Sequence, residues 1–98
     1  MHYQESDMAR RLILHGRVQG VCCRQYCSIY ARNLGLRGAA TNLYDGTVEV
    51  LLDTDDRTEI ERYISALESN PRRVQFYGMI ESIDSADYSG TIRGDYRF

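Results

Sequence analysis

The segment Gly16-Arg17-Val18-Gln19-Gly20-Val21-Cys22-Cys23-Arg24 holds the residue types of this chain best suited to chemistry. It follows the apolar run Leu12-Ile13-Leu14 and opens a helical pattern. Two glycines let a backbone turn sharply and bring its N–H groups close to a ligand. No Ser, Thr, Asp or Asn lies between Gly16 and Arg24, so no good side-chain acceptor is at hand for the first helical donors. A bound phosphate would fill that role, and Arg24 in the first turn would add a planar cationic fork. The chemistry expected of this segment is the capture of a phosphoryl group.

The elements that must position it follow from periodicity. Arg11 to His15 reads as a short strand, and residues 22 to 34 as a helix burying Cys23, Cys27, Tyr30 and Leu34, with Gly35 as its stop. Residues 36 to 42 form a second expected strand. Tyr44-Asp45-Gly46-Thr47 is a tight hairpin turn, and Thr47 to Leu52 a strand of alternating character. In the second half Asp55 or Asp56 caps a helix, Asp56 and Glu59 having capping-box spacing. Its apolar stripe is Ile60, Tyr63, Ile64 and Leu67, and Asn70-Pro71 ends it. Val74 to Ile83 is expected as a long strand, Ser85 to Gly94 as a polar connection, and Asp95 to Phe98 as a short terminal strand. The order βαββαβ favours an α+β, ferredoxin-like (split βαβ) sandwich, an antiparallel sheet with two helices on one face. Right-handed crossovers place the glycine loop at one end of that sheet.

Ninety-eight residues suit one domain, expected at residues 9–98 behind a polar tail of residues 1–8. A net charge of −2 provides no basic field for nucleic acid. An RNA-binding sheet would also want aromatics on its central strands, and Thr47 to Leu52 has none. No apolar run approaches the roughly 20 residues that span a bilayer. The stretch Met1 to Asp7 is polar and mildly acidic, unlike a secretory signal, so no membrane partner and a cytoplasmic location are expected.

Other phosphate loops fail on their residues. Walker A needs a lysine, and all twelve basic residues here are arginine. The dinucleotide fingerprint needs a glycine spacing that Gly16 and Gly20 do not supply. A cysteine phosphatase loop needs a Cys six positions before its Arg, and that position is Val18. What is left is a phosphate site without a metal, a nucleotide motif or a covalent nucleophile. Here the residues carry a resemblance. Gly16-Arg17-Val18-Gln19-Gly20-Val21-x-x-Arg24 resembles the first signature of the acylphosphatase family, and Gly38-x-x-x-Asn42-x-x-Asp45-Gly46-x-Val48-Glu49 resembles the second. The ending Asp95-Tyr96-Arg97-Phe98 is similar to the family's terminal strand.

The resemblance implies hydrolysis of a small acyl phosphate to carboxylate and inorganic phosphate, with no cofactor and no metal. It implies that Arg24 and the backbone N–H groups of Gly16, Arg17, Val18, Gln19, Gly20 and Val21 hold the phosphoryl group, and that Asn42 positions the attacking water. A monomer is expected, and a non-catalytic phosphate-binding or regulatory domain of the same fold is the alternative. The family usually has Phe at Cys23 and an aromatic-Val pair at Ala39 and Ala40, so cavities or compensating side chains are expected there, with the eight tyrosines as candidates.

Several residues have plainer readings. Asp45 reads as a turn residue rather than a general base. Glu49 is expected to face solvent, His15 to be structural, and Arg17 either to be solvated or to add weak attraction for an anion. Cys23 and Cys27 share the core-facing side of the helix, where a reduced Cys acts as a small hydrophobe. No Cys-x-x-Cys pair or His array supports zinc. Cys22, at the helix start beside Arg24, is the thiol whose oxidation or alkylation would obstruct the loop.

Overall fold

Period-two alternation decides which face of the sheet receives the helices. Leu12 and Leu14 on one strand and Val48, Val50 and Leu52 on another are fully buried on the same side. The computed structural model describes residues 4–98, with side chains from Met8 onward. The elements are β1 (Gln4–Arg17), α1 (Cys23–Asn33), β2 (Gly38–Asn42), β3 (Val48–Leu52), α2 (Arg57–Ser69), β4 (Met79–Ile92) and β5 (Tyr96–Arg97). The strands form one sheet in the order β4-β1-β3-β2-β5, and every neighbouring pair is antiparallel. Both helices pack on one face, as the βαββαβ order led us to expect. No helix is long and apolar enough to cross a membrane.

The core between sheet and helices is built around tyrosine. Tyr26, Tyr30 and Tyr63 are essentially fully buried, and each hydroxyl has a partner. Tyr26 Oη donates to Leu67 O at 2.7 Å, Tyr63 Oη to Cys27 O at 2.8 Å, and Tyr30 Oη to Asn70 Oδ1 at 2.6 Å. Satisfying these groups matters because an unpaired buried hydroxyl costs about 1–3 kcal/mol. Burial raises the pKa values of Tyr26 and Tyr63 above the usual phenol value. Cys23 and Ala40, the small residues for which compensation was expected, belong to the same buried cluster as these rings. Ala39 faces the other way, where a Cβ on Gly94 would lie 2.8 Å from its methyl.

Helix ends follow local rules. Gly35, at φ 73°, donates to Arg32 O, and Leu36 N donates to Ala31 O at 2.7 Å, closing α1 in a Schellman motif. Asp56 Oδ1 accepts from Glu59 N at 3.0 Å and caps α2. The return half of the box runs through Thr54, whose hydroxyl donates to Glu59 Oε1 and accepts from Asp56 N.

The strands depart from expectation in two places. β1 begins at Gln4 rather than Arg11, within the segment read as a polar tail, whose residues 1–3 lie outside the described residues. β4 spans Met79–Ile92 rather than Val74–Ile83. The Asn70 side chain takes both backbone groups of Val74, and Tyr77 N donates to Val21 O, so this stretch has few groups free for a ladder. Conversely, Ser85–Tyr88 is polar yet pairs with β1, because the long first strand offers it backbone partners. An edge strand with one wet face tolerates such residues.

Candidate active site

The glycine loop hangs between the end of β1 and the start of α1. Gly16 sits at φ 126°, and a Cβ there would lie 2.3 Å from Met79 O, so only glycine lets β1 approach β4 at this point. Val18 is buried and pins the loop to the core. Gly20 at φ 73° and Cys22 at φ 67° are both left-handed. Left-handed residues flanking Val21 fold the backbone into the kind of turn that makes anion-binding concavities.

α1 then starts without help. Its N-cap is Cys22, which makes no side-chain cap hydrogen bond, and its first turn contains no acid. The positive end of the helix dipole and its orphan N–H groups are left for a ligand. Arg24 lies in that first turn, and its Nη1 donates to Asp95 Oδ2 at 2.8 Å.

Asn42 arrives from the other side, at the end of β2 and opposite Val48 of β3. The hairpin beyond it is held by Asp45 Oδ1, which accepts from Thr47 Oγ1 at 2.6 Å and Thr47 N at 3.0 Å. These donations, the hydroxyl's first, hold the Asp45 carboxyl below its ordinary pKa, which suits a turn residue. Gln19 ties the hairpin to the loop: its Nε2 donates to Leu43 O at 2.7 Å and Thr47 O at 2.8 Å.

Arg24 and Asn42 meet at one open recess of about 190 Å³, lined also by Val18, Gly20, Cys22, Cys23, Gln25 and Tyr96. A water occupies about 30 Å³ of liquid, so the recess has room for a phosphoryl group with solvent beside it. The side chains and turns of the other loop residues make contacts outside the recess. Gly16 locks the loop against β4, Arg17 turns away to donate to Tyr77 O at 3.3 Å, Gln19 braces the hairpin, and Val21 packs on the core. Asp95 and the bracing role of Gln19 were not anticipated from sequence. Their partners lie 71 and 24 to 28 positions away, and no local pattern marks them.

The remaining candidates have settled places. Glu49 is not solvated but largely covered, accepting from Arg11 Nε at 2.6 Å on the outer face of the sheet. Covering by neighbouring strands that local alternation does not reveal is the physical reason. His15 Nε2 lies 2.8 Å from Asp84 Oδ2 across the β1–β4 pair. Cys22 is exposed, while Cys23 and Cys27 are buried with their sulfurs 4.0 Å apart. The hydrogen bond with Cys23, then burial, raises the Cys27 pKa and keeps that thiol neutral. Among the described residues no group of three or more His, Cys, Asp or Glu side chains is placed to hold a metal ion.

Known proteins are similar to this chain in sequence and in fold. The family model for Acylphosphatase matches residues 10–96. The chain is 34% identical over 79 residues to the acylphosphatase of Lactococcus lactis, covering 78% of this chain and 81% of that one. It is 44% identical over 70 residues to the acylphosphatase of Thermobifida fusca, covering 71% of each. The crystal structure of the acylphosphatase from Bacillus subtilis superposes with a TM-score of 0.69 at 26% identity, over 89% of this chain and 94% of that one. A glycine loop, an uncapped helix start, an arginine and an asparagine around one recess thus coincide with a match along nearly the whole sequence, and the chain belongs to the acylphosphatase family of enzymes.

Proposed function

We propose that this recess hydrolyses small acyl phosphates, without a metal or other cofactor. The observation that carries the reading is that Arg24 and Asn42 share one recess at the uncapped start of α1. The phosphoryl oxygens sit against the loop and first-turn N–H groups and the Arg24 guanidinium. The side-chain carbonyl of Asn42 accepts a hydrogen bond from a water and aims it at phosphorus. Water oxygen bonds to phosphorus, the bond from phosphorus to the acyl oxygen breaks, and carboxylate, inorganic phosphate and a proton leave. Because the leaving carboxylate is stable, little acid catalysis is needed, and positioning and charge stabilisation account for most of the rate. Donors fixed in the fold stabilise that charge without reorganising. On this reading the sheet and its two helices form one catalytic domain, acting as a cytoplasmic monomer.

The test is hydrolysis of benzoyl phosphate in EDTA by wild type, Arg24→Gln and Asn42→Ala. Wild type turns over. Each folded variant loses on the order of 10²–10³ in rate, the usual effect of deleting one transition-state donor. The Arg24 change should fall mainly on phosphate binding and the Asn42 change mainly on kcat. A wild type that binds inorganic phosphate but shows no turnover would instead make this a non-catalytic phosphate-binding domain.

A further inference from the structure

Arg24 is not waiting empty-handed. Its Nη1 donates to the Asp95 carboxylate at 2.8 Å, with the two side chains 37% and 48% exposed. The fold puts that carboxylate there with some care. β4 and β5 lie at opposite edges of the sheet, and the chain crosses between them through Arg93, Gly94 and Asp95. Gly94 presses on β2 so closely that a Cβ would lie 2.5 Å from Thr41 Oγ1. Asp95 N donates to the same Thr41 hydroxyl at 3.3 Å, one residue before Asn42. Tyr96 then pairs with Ala40 and lines the recess. Asp95 is therefore held by its backbone at the rim, and its charge enters the site through Arg24.

A carboxylate on the phosphoryl-binding guanidinium has two opposed effects. It orients the fork, because one bond through Nη1 leaves the other donors of the guanidinium available. It also offers Arg24 an anion before any substrate arrives, and a phosphoryl dianion must displace or outbid it. The pair is part-exposed, so orientation gains little from it. A second anion brought to the same cation meets direct repulsion. Competition outweighs orientation.

We propose that Asp95 is a built-in competitor for Arg24, a residue that sets the enzyme's affinity for phosphoryl groups and speeds the release of phosphate. The proposal rests on the reading of Arg24 as the phosphoryl ligand. Asp95 touches neither water nor phosphorus and acts only through Arg24, so its signature is a split between affinity and turnover.

The experiment measures inorganic phosphate binding by calorimetry and benzoyl phosphate kinetics for wild type, Asp95→Asn, Asp95→Ser and Arg24→Gln. Asp95→Asn keeps an acceptor oxygen for Arg24 and removes only the charge. It should tighten phosphate binding about fivefold and lower KM to match, a change of the size a part-exposed ion pair can produce. Its kcat should stay equal to or below that of wild type, as slower release of phosphate predicts. Asp95→Ser should show the same direction and serves if the Asn variant does not fold. Unchanged or weaker phosphate binding in a folded Asp95 variant overturns the proposal, since a carboxylate that merely orients Arg24 loosens the anion when removed. If binding also stays unchanged in Arg24→Gln, the assignment of Arg24 itself falls. A loss confined to Arg24→Gln removes only the competitor role of Asp95.

Discussion

The two helices lie on the same face of the sheet and are of similar length, yet they begin in opposite ways. α2 starts with Asp56 capping Glu59 N and an acid in the first turn. α1 starts from a left-handed Cys22, with no side-chain cap and no acid. At the start of α2 the Asp56 carboxylate already takes the Glu59 N–H, and Glu59 adds a second negative charge, so that end repels an anion. α1 leaves its donors and its dipole open, and beside that start stand the glycine loop, Arg24 and Asn42. The chain gives up some local stability beside the recess that Arg24 and Asn42 line.

The contrast can be tested, starting with the largest effect. Gly16→Ala puts a methyl 2.3 Å from Met79 O at φ 126°. Strain of this kind should destabilise the fold by about 3 kcal/mol, read by chemical denaturation, whereas no single change at the start of α2 should cost as much. Inorganic phosphate at about 100 times its Kd should stabilise the protein by about 2.7 kcal/mol. Hydrogen exchange should then show new protection at residues 20–25 and none at the start of α2. Equal protection at both starts would erase the contrast. Asp56→Ala should cost about 1 kcal/mol, as cap deletions do, and leave phosphate affinity unchanged in calorimetry.

The smallest effect concerns acid. Hydrogen bonds from Thr47 lower the Asp45 pKa in the folded state. A depressed folded pKa contributes stability that is present above the unfolded value of about 3.9 and is lost as pH falls through the folded value. Asp45 should therefore titrate below an ordinary Asp by NMR, and Asp45→Asn should shave a small part from the acid dependence of stability. An ordinary titration would show that the site hairpin is held by Gln19 and the ladder rather than by its turn.

How much of this was legible in the sequence depends on how far apart the partners are. The loop, its missing cap, the Asp56 cap and the Asp45-Gly46 turn are short-range features, visible because each depends on residues within a few positions of one another. The alternation of Val48, Val50 and Leu52 also showed which side of β3 faces the helices, whereas the burial of Leu51 on the other side, with Ala9 and Ile92, was not legible. The displaced β4 was not legible. Val74 reads as strand from its type, but the Asn70 side chain uses its backbone groups, and Ser85–Tyr88 becomes strand only because β1 is long enough to pair with it. Glu49 read as solvated for the same reason: Arg11 comes from another strand.

The sequence by itself determined the element order, the α+β class, the glycine loop and the missing cap behind it, because periodicity, capping and turn chemistry are local. Only the tertiary structure decided that Gln19 braces the hairpin, that three buried tyrosines join one core with Cys23 and Ala40, and that Asp95 sits on Arg24. These contacts join residues tens of positions apart, and their geometry exists only once strand order and register have brought those residues together.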